Sequence, residues 1–186
     1  MQAAARRTDQ LDELTVRRAQ RGDQRAWRDL IERYQQPVHS LIWRLFAGRA
    51  RHRVEDLVQE TFVRVLRALP EWEPAGTATL STWILTIATR LALNELRRPE
   101  HAALTAEPEG RVDDSAERRQ LAKAIAEGVA KLPDAQRAVF VLREYQGLEY
   151  REIADILELD LDTVKSRLSR ARAALRVSLT AAGRTP

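Results

Sequence analysis

Residues 148–176, Leu148-Glu-Tyr-Arg-Glu-Ile-Ala-Asp-Ile-Leu-Glu-Leu-Asp-Leu-Asp-Thr-Val-Lys-Ser-Arg-Leu-Ser-Arg-Ala-Arg-Ala-Ala-Leu-Arg176, read as two short helices joined by a tight turn, the second of them basic. Ile153, Ala154 and Leu157 give the first helix one apolar face, with small Ala154 where another helix must cross closely. In the second, Val164, Leu168, Ala171 and Leu175 recur at i, i+4, i+7 and i+11 and so form one stripe. At about 100° per residue, Lys165, Ser166, Ser169, Arg170, Arg172 and Arg176 fall away from that stripe. Residues 161–176 hold five Lys/Arg and one acid, Asp162. A short crossed helix pair presenting cations and hydroxyls has the shape of a helix-turn-helix entering a DNA major groove. A solvated charged surface helix is the alternative for this segment taken alone.

Outward from this stretch, the composition is that of a helix-rich, charged chain. The 186 residues fit one large domain or two small ones. The formal charge is only +4, so its effect depends on uneven distribution along the chain. No apolar run approaches the length needed to cross a bilayer, so no membrane insertion is expected. No apolar core follows Arg6 and Arg7, so a secretory signal is not expected either. The absence of cysteine removes disulfides and thiolate metal sites, and the three histidines lack ligand spacing. Neither metal nor cofactor is expected, and the expected location is cytoplasmic.

Helical periodicity continues through the rest. Asp23 is placed to cap a helix carrying Trp27, Leu30, Ile31 and Tyr34; Pro37 is expected to kink or restart it before Val38, Leu41, Ile42, Leu45 and Phe46. A basic loop, 48–53, precedes a third helix with Val54, Leu57, Val58, Thr61, Phe62, Val65 and Leu69 inward. After a Pro/Gly loop, Ser81 or Thr82 is expected to cap a helix reaching about Arg98. Together these predict an all-α domain over 10–98. Residues 99–117 carry six acids, one arginine and two prolines, and read as a flexible acidic linker. A second all-α domain, 118–180, is predicted to contain a helix over 118–131, another from Pro133-Asp134 through Tyr145, and the helix-turn-helix. The domains are expected to fold separately and change relative placement; docking in the free protein would hide the basic helix.

Five segments then resemble, in order, those of extracytoplasmic-function (ECF) sigma factors, members of the sigma-70 family. Arg21-Gly-Asp-Gln-Arg-Ala-Trp-Arg-Asp-Leu-Ile-Glu-Arg-Tyr34, Glu55-Asp-Leu-Val-Gln-Glu-Thr-Phe62 and Ser81-Thr-Trp-Ile-Leu-Thr-Ile-Ala88 resemble parts of the family's promoter-melting domain. Leu132-Pro-Asp-Ala-Gln-Arg-Ala-Val-Phe-Val-Leu-Arg143 and Tyr150-Arg-Glu-Ile-Ala-Asp-Ile-Leu157 through Thr163–Arg172 resemble its C-terminal domain.

The resemblance implies a non-enzymatic subunit that binds core RNA polymerase and directs initiation by recognising the minus-ten and minus-thirty-five elements. It assigns Asp56, Gln59 and Glu60 to the clamp coiled coil of the beta-prime subunit; Glu55 reads equally as an acid complementing the helix dipole. It places Arg90, Asn94, Arg97 and Arg98 at the minus-ten element, and Lys165, Ser166, Arg167, Ser169, Arg170 and Arg172 at the minus-thirty-five element. Lys and Arg reach guanine edges or phosphates, and serines serve either. Arg167 and Arg172 fit phosphate positioning. An anti-sigma factor, the family's usual control, is a further implied partner. For the linker, a threaded mimic of nucleic-acid charge stands beside a plain solvated spacer.

Three residues depart from the family pattern. Arg90 stands where asparagine is usual, and arginine cannot accept a hydrogen bond. Leu80 replaces a usual phenylalanine, and Glu149 a usual serine cap that Glu152 can support. Trp83, spaced with Ile84, Ile87 and Leu91, reads as core before a base-stacking platform. An autonomous helix-turn-helix regulator is the competing function, but it leaves residues 55–62 and the Trp83 helix without a role. No nucleophile–base pair, phosphate-binding glycine loop or metal cluster supports an enzyme.

Overall fold

The computed structural model describes residues 11–47, 50–74, 79–98 and 116–181. The described part of the first domain holds α1 (Glu13–Gln20), α2 (Gln24–Leu45), α3 (Arg51–Ala68) and α4 (Leu80–Leu96), with a 3-10 turn, Leu69–Glu71, closing α3. Helices α2, α3 and α4 pack mutually, and α1 lies against α2 and the 3-10 turn. The stripes read from the sequence close this core: Leu30, Val38, Leu41, Ile42, Val54, Val65, Leu69, Ile84 and Ala88 are fully buried.

Local chemistry sets the helix ends. Asp23 Oδ1 accepts the N–H groups of Arg25 and Ala26, each at 2.9 Å, and starts α2. Pro37 does not restart the helix, because α2 runs on through it to Leu45. Proline supplies no N–H, but Tyr34, Val38 and Leu41 are buried on either side of it and packing holds the helix together. The expected cap of α4 is corrected as well. Thr79, not Ser81 or Thr82, is the N-cap, its Oγ1 accepting the Thr82 N–H at 3.1 Å. Leu80 is buried in the first turn, which draws the helix start back to it. Helix α1 was not expected. It is fastened by Gln20, whose amide donates to the carbonyls of Leu69 (3.1 Å) and Trp72 (2.7 Å), and by Trp27 Nε1 donating to Ala19 O at 2.6 Å.

The second domain holds α5 (Ala116–Ala130), α6 (Asp134–Phe140), a π turn (Val141–Tyr145), α7 (Tyr150–Leu157) and α8 (Leu161–Ala181). Residues 99–115 of the expected linker lie outside the described residues, and residues 116 and 117 belong to α5. Helix α8 is the spine, touching α5, α6 and α7 through Val164, Leu168, Ala171 and Leu175, all buried. On α7, Ile153, Ala154 and also Ile156 are buried, whereas Leu157 is half-buried. The Glu149 N–H donates to Glu152 at 2.7 Å, so Glu152 supports the start of α7 as expected. The helix expected through Tyr145 changes pitch at Val141: the Gln146 N–H reaches back five residues to Val141 O, at 3.1 Å.

The two domains touch along a seam with two ends. At the buried end Arg137, 3% exposed, donates to Leu45 O (2.9 Å), Leu132 O (2.8 Å) and Asp134 (2.5 Å). Beside it Phe46, Phe140 and Val141 are buried, and the Arg44 guanidinium lies 4.2 Å from the centre of the Tyr145 ring. At the open end α4 meets α7. Thr82 Oγ1 donates to Glu152 Oε1 at 2.9 Å, and Arg90 faces Glu158 at 3.4 Å.

Candidate promoter and polymerase surfaces

Three surfaces carry the residues singled out above. On α3, Asp56, Gln59, Glu60 and Val63 follow at i, i+3, i+4 and i+7 and make one outward stripe. Asp56 sits 3.5 Å from Arg53, and Glu60 pairs with Arg64 at 2.6 Å. Neither is withdrawn, since their side chains stay 59% and 42% exposed. Val63, 45% exposed, is an apolar residue that the sequence reading passed over. Its spacing from Asp56 was the available clue.

The second surface is the outer side of α4. Arg90, Asn94, Arg97 and Arg98 are all exposed, with Arg97 Nη1 reaching Asn94 Oδ1 at 3.5 Å. Beneath them lies Glu95, 6% exposed, which joins Arg53 at 2.7 Å and Arg98 at 3.3 Å. The hydrogen bond from Arg53 to Glu95 raises the Arg53 pKa above the usual arginine value against the cost of burial. A buried carboxylate thus ties the start of α3 to the end of α4 and turns two cations to one side. Trp83 is half-buried and packs on Trp72, ring centres 5.9 Å apart, against the edge of the core. Residues 75–78 of the neighbouring loop lie outside the described residues.

The third surface belongs to α8. Asp160 accepts the Thr163 N–H at 2.7 Å and the Thr163 hydroxyl at 2.7 Å, fixing the first turn. Those hydrogen bonds, the hydroxyl's first, lower the Asp160 pKa. Lys165, Ser166, Ser169 and Arg170 project outward, while Arg167 is half-buried. Arg172 is exposed but held, since Glu144 of the π turn accepts from its Nε (3.0 Å) and Nη2 (2.6 Å). Its pKa is raised, chiefly by that bond. A shallow recess runs between Tyr150 and the Lys165, Ser169, Arg172 and Arg176 side of α8. The structure therefore brings the six α8 candidates onto one helix, with Arg172 tethered at its rear.

A helix-turn-helix, an acidic stripe on α3 and a cation-bearing α4 in this order leave the family to be decided by comparison. A family model for sigma-70 region 2 matches residues 30–101, and one for sigma-70 region 4 matches 122–175. The chain belongs to the sigma-70 family, as an ECF sigma factor. The RNA polymerase sigma-H factor of Pseudomonas aeruginosa is 35% identical over 188 residues, covering 92% of this chain and 95% of that one. The ECF RNA polymerase sigma-E factor of Escherichia coli K12 is 35% identical over 183 residues, covering 88% and 92%. Among solved structures, CnrH in complex with the cytosolic domain of CnrY matches with a TM-score of 0.64 at 29% identity, covering 91% of this chain and 97% of that one. The sigma factor RpoE of Bartonella quintana, in complex with the anti-sigma factor NepR, matches at 0.68 and 20% identity over 82% and 96%, a likeness of fold.

As a sigma factor, the protein directs promoter recognition by RNA polymerase and performs no catalysis. The region 2 match gives residues 55–62 and the Trp83 helix a place that the autonomous-regulator reading lacked. Among the described residues, no helix is long and apolar enough to cross a membrane, and no His/Asp/Glu group is arranged to hold a metal ion.

Proposed function

We propose that the sigma factor binds the clamp coiled coil of the polymerase beta-prime subunit through Asp56, Gln59 and Glu60, with Val63 extending the contact. The observation carrying this reading is the outward stripe on α3, acidic and amide at one end and apolar at the other. Arg90, Asn94, Arg97 and Arg98 serve the minus-ten element, with Glu95 holding the two flanking arginines. Lys165, Ser166, Ser169 and Arg170 face the minus-thirty-five element, and Arg167 and Arg172 position α8 on phosphates. The functional units are residues 10–98 and 116–180, with 99–115 as the tether. The chain acts in the cytoplasm, and the solved complexes of its relatives with CnrY and NepR support an anti-sigma partner.

Asp56→Lys with Glu60→Lys should abolish co-purification with core polymerase while the far-ultraviolet circular dichroism stays helical. Unchanged affinity would remove this stripe from the contact. Lys165→Ala and Arg170→Ala should each lower promoter-directed transcription. A residue that reads a base loses about 1–3 kcal/mol at one position, whereas a phosphate contact weakens all sequences evenly and flattens the salt dependence.

A further inference from the structure

Contact between the two domains does not hide the basic helix, since Lys165, Ser166, Ser169 and Arg170 of α8 stay exposed. One acid shares their face. From Asp162, those four residues follow at i+3, i+4, i+7 and i+8, so all five project to the same side of α8. We propose that Asp162 and Lys165 act together as the reader of one G·C pair in the minus-thirty-five element, Lys165 donating to guanine O6 and Asp162 accepting from cytosine N4. The proposal rests on the promoter reading of α8 and adds to it a specificity-determining residue, Asp162, and the base pair it selects.

Three observations carry it. The first is position: Asp162 lies in the first turn of α8, the end of a recognition helix that reaches base edges. The second is that another residue holds the helix start. Asp160 accepts the Thr163 N–H and hydroxyl, whereas the Asp162 side chain is 91% exposed. An exposed carboxylate on a face that meets phosphates weakens binding to any duplex unless a donor meets it. The donors in the major groove are the amino groups of cytosine and adenine. The third is spacing. Lys165 Nζ lies 3.1 Å from Asp162 Oδ1, which sets a donor and an acceptor side by side. Guanine O6 and cytosine N4 are hydrogen-bonded to each other at about 2.9 Å and present the matching acceptor and donor. An A·T pair presents O4 and N6 in the same way, but adenine N7 then faces the carboxylate, acceptor against acceptor, and the thymine methyl lies beside the ammonium. In G·C the additional acceptor, guanine N7, falls on the lysine side.

The test uses the full-length chain assembled with core RNA polymerase and a template library randomised through the minus-thirty-five element, with transcript yield read for each template. At one position the unaltered chain should favour G·C over A·T by about tenfold. Asp162→Ala should cut that preference about fivefold at this position alone, partly by raising yield from templates with the wrong pair there. Asp162→Asn keeps the size of the side chain, so it serves if the alanine variant folds poorly. It should move the preference toward A·T, because an amide serves adenine N6 and N7 together. Lys165→Ala should weaken discrimination at that same position. An even change across all positions, as loss of a dipole-complementing acid or of simple repulsion would give, overturns the reader pair. No change in either Asp162 variant, or a change at a position that Lys165→Ala leaves untouched, overturns it as well. If Lys165→Ala and Arg170→Ala both leave every template unaffected, the promoter reading of α8 falls and the pair with it.

Discussion

Arg137 and Arg90 both bridge the two domains, yet they belong to opposite physical regimes. Arg137 is enclosed, and its two terminal nitrogens meet two carbonyls and a carboxylate. One of those carbonyls, Leu45 O, lies in the last turn of α2, where the helix dipole favours a cation. Arg90 has one carboxylate at 3.4 Å, in water. Removing a buried, hydrogen-bonded cation orphans its partners, while removing a solvated one lets water take over. The same residue type therefore builds a permanent joint at one end of the seam and a reversible one at the other.

Substitutions should separate these regimes in order of size. Arg137→Ala should cost about 3 kcal/mol of stability in urea unfolding. All four tryptophans lie in residues 27–83, so tryptophan emission should shift less than circular dichroism, which also reports α5–α8. Equal shifts would mean that Arg137 serves the whole molecule and not its own domain first. Glu95→Ala should cost about 2 kcal/mol, since it leaves Arg53 without its main partner at a part-buried site. A loss under about 0.5 kcal/mol would place Glu95 with the exposed pairs. Glu158→Gly should stabilise by about 1 kcal/mol, because relief of left-handed strain exceeds the weak pair that is lost. A destabilised variant would show that the Arg90 contact outweighs the strain. Arg90→Ala should move the unfolding midpoint by less than about 0.5 kcal/mol.

Acid should act last, and only locally. The folded-state pKa of Asp160 is lowered, so its cap contributes fully above the unfolded aspartate value and is lost as pH falls through the lowered one. Amide exchange at Thr163 should accelerate only over that acid range, leaving the buried end of the seam unaffected. Acceleration near neutral pH would show that another group governs the turn before α8.

The elements with regular stripes were legible because burial repeats with the helix. Every member of Val164, Leu168, Ala171 and Leu175 is buried, and so is the α3 stripe except for half-buried Val58. Helix α1 was not, because eight residues with only Val16 and Ala19 buried carry too little pattern. The start of α4 was ambiguous because Thr79, Ser81 and Thr82 can all cap; burial of Leu80 decided between them. Exposure of the candidate site residues followed from their phase on each helix. Their partners did not, since Glu95 to Arg53 and Arg90 to Glu158 are meetings between distant elements that no local spacing encodes.

The π turn makes the coupling between these regions a matter of chain length. A turn closed over five residues holds one residue more than an α-helix of the same span. Within it, adjacent side chains serve opposite neighbours, Glu144 gripping Arg172 of α8 and Tyr145 lying under Arg44 of α2. Deleting one residue of 141–143 would restore α-helical spacing over the same span and barely alter composition, yet shift Glu144 and Tyr145 by one position, about 100°, relative to the helix before them. Glu144 and Tyr145 could then no longer meet both partners together. At this point a gap in an alignment weighs more than any substitution.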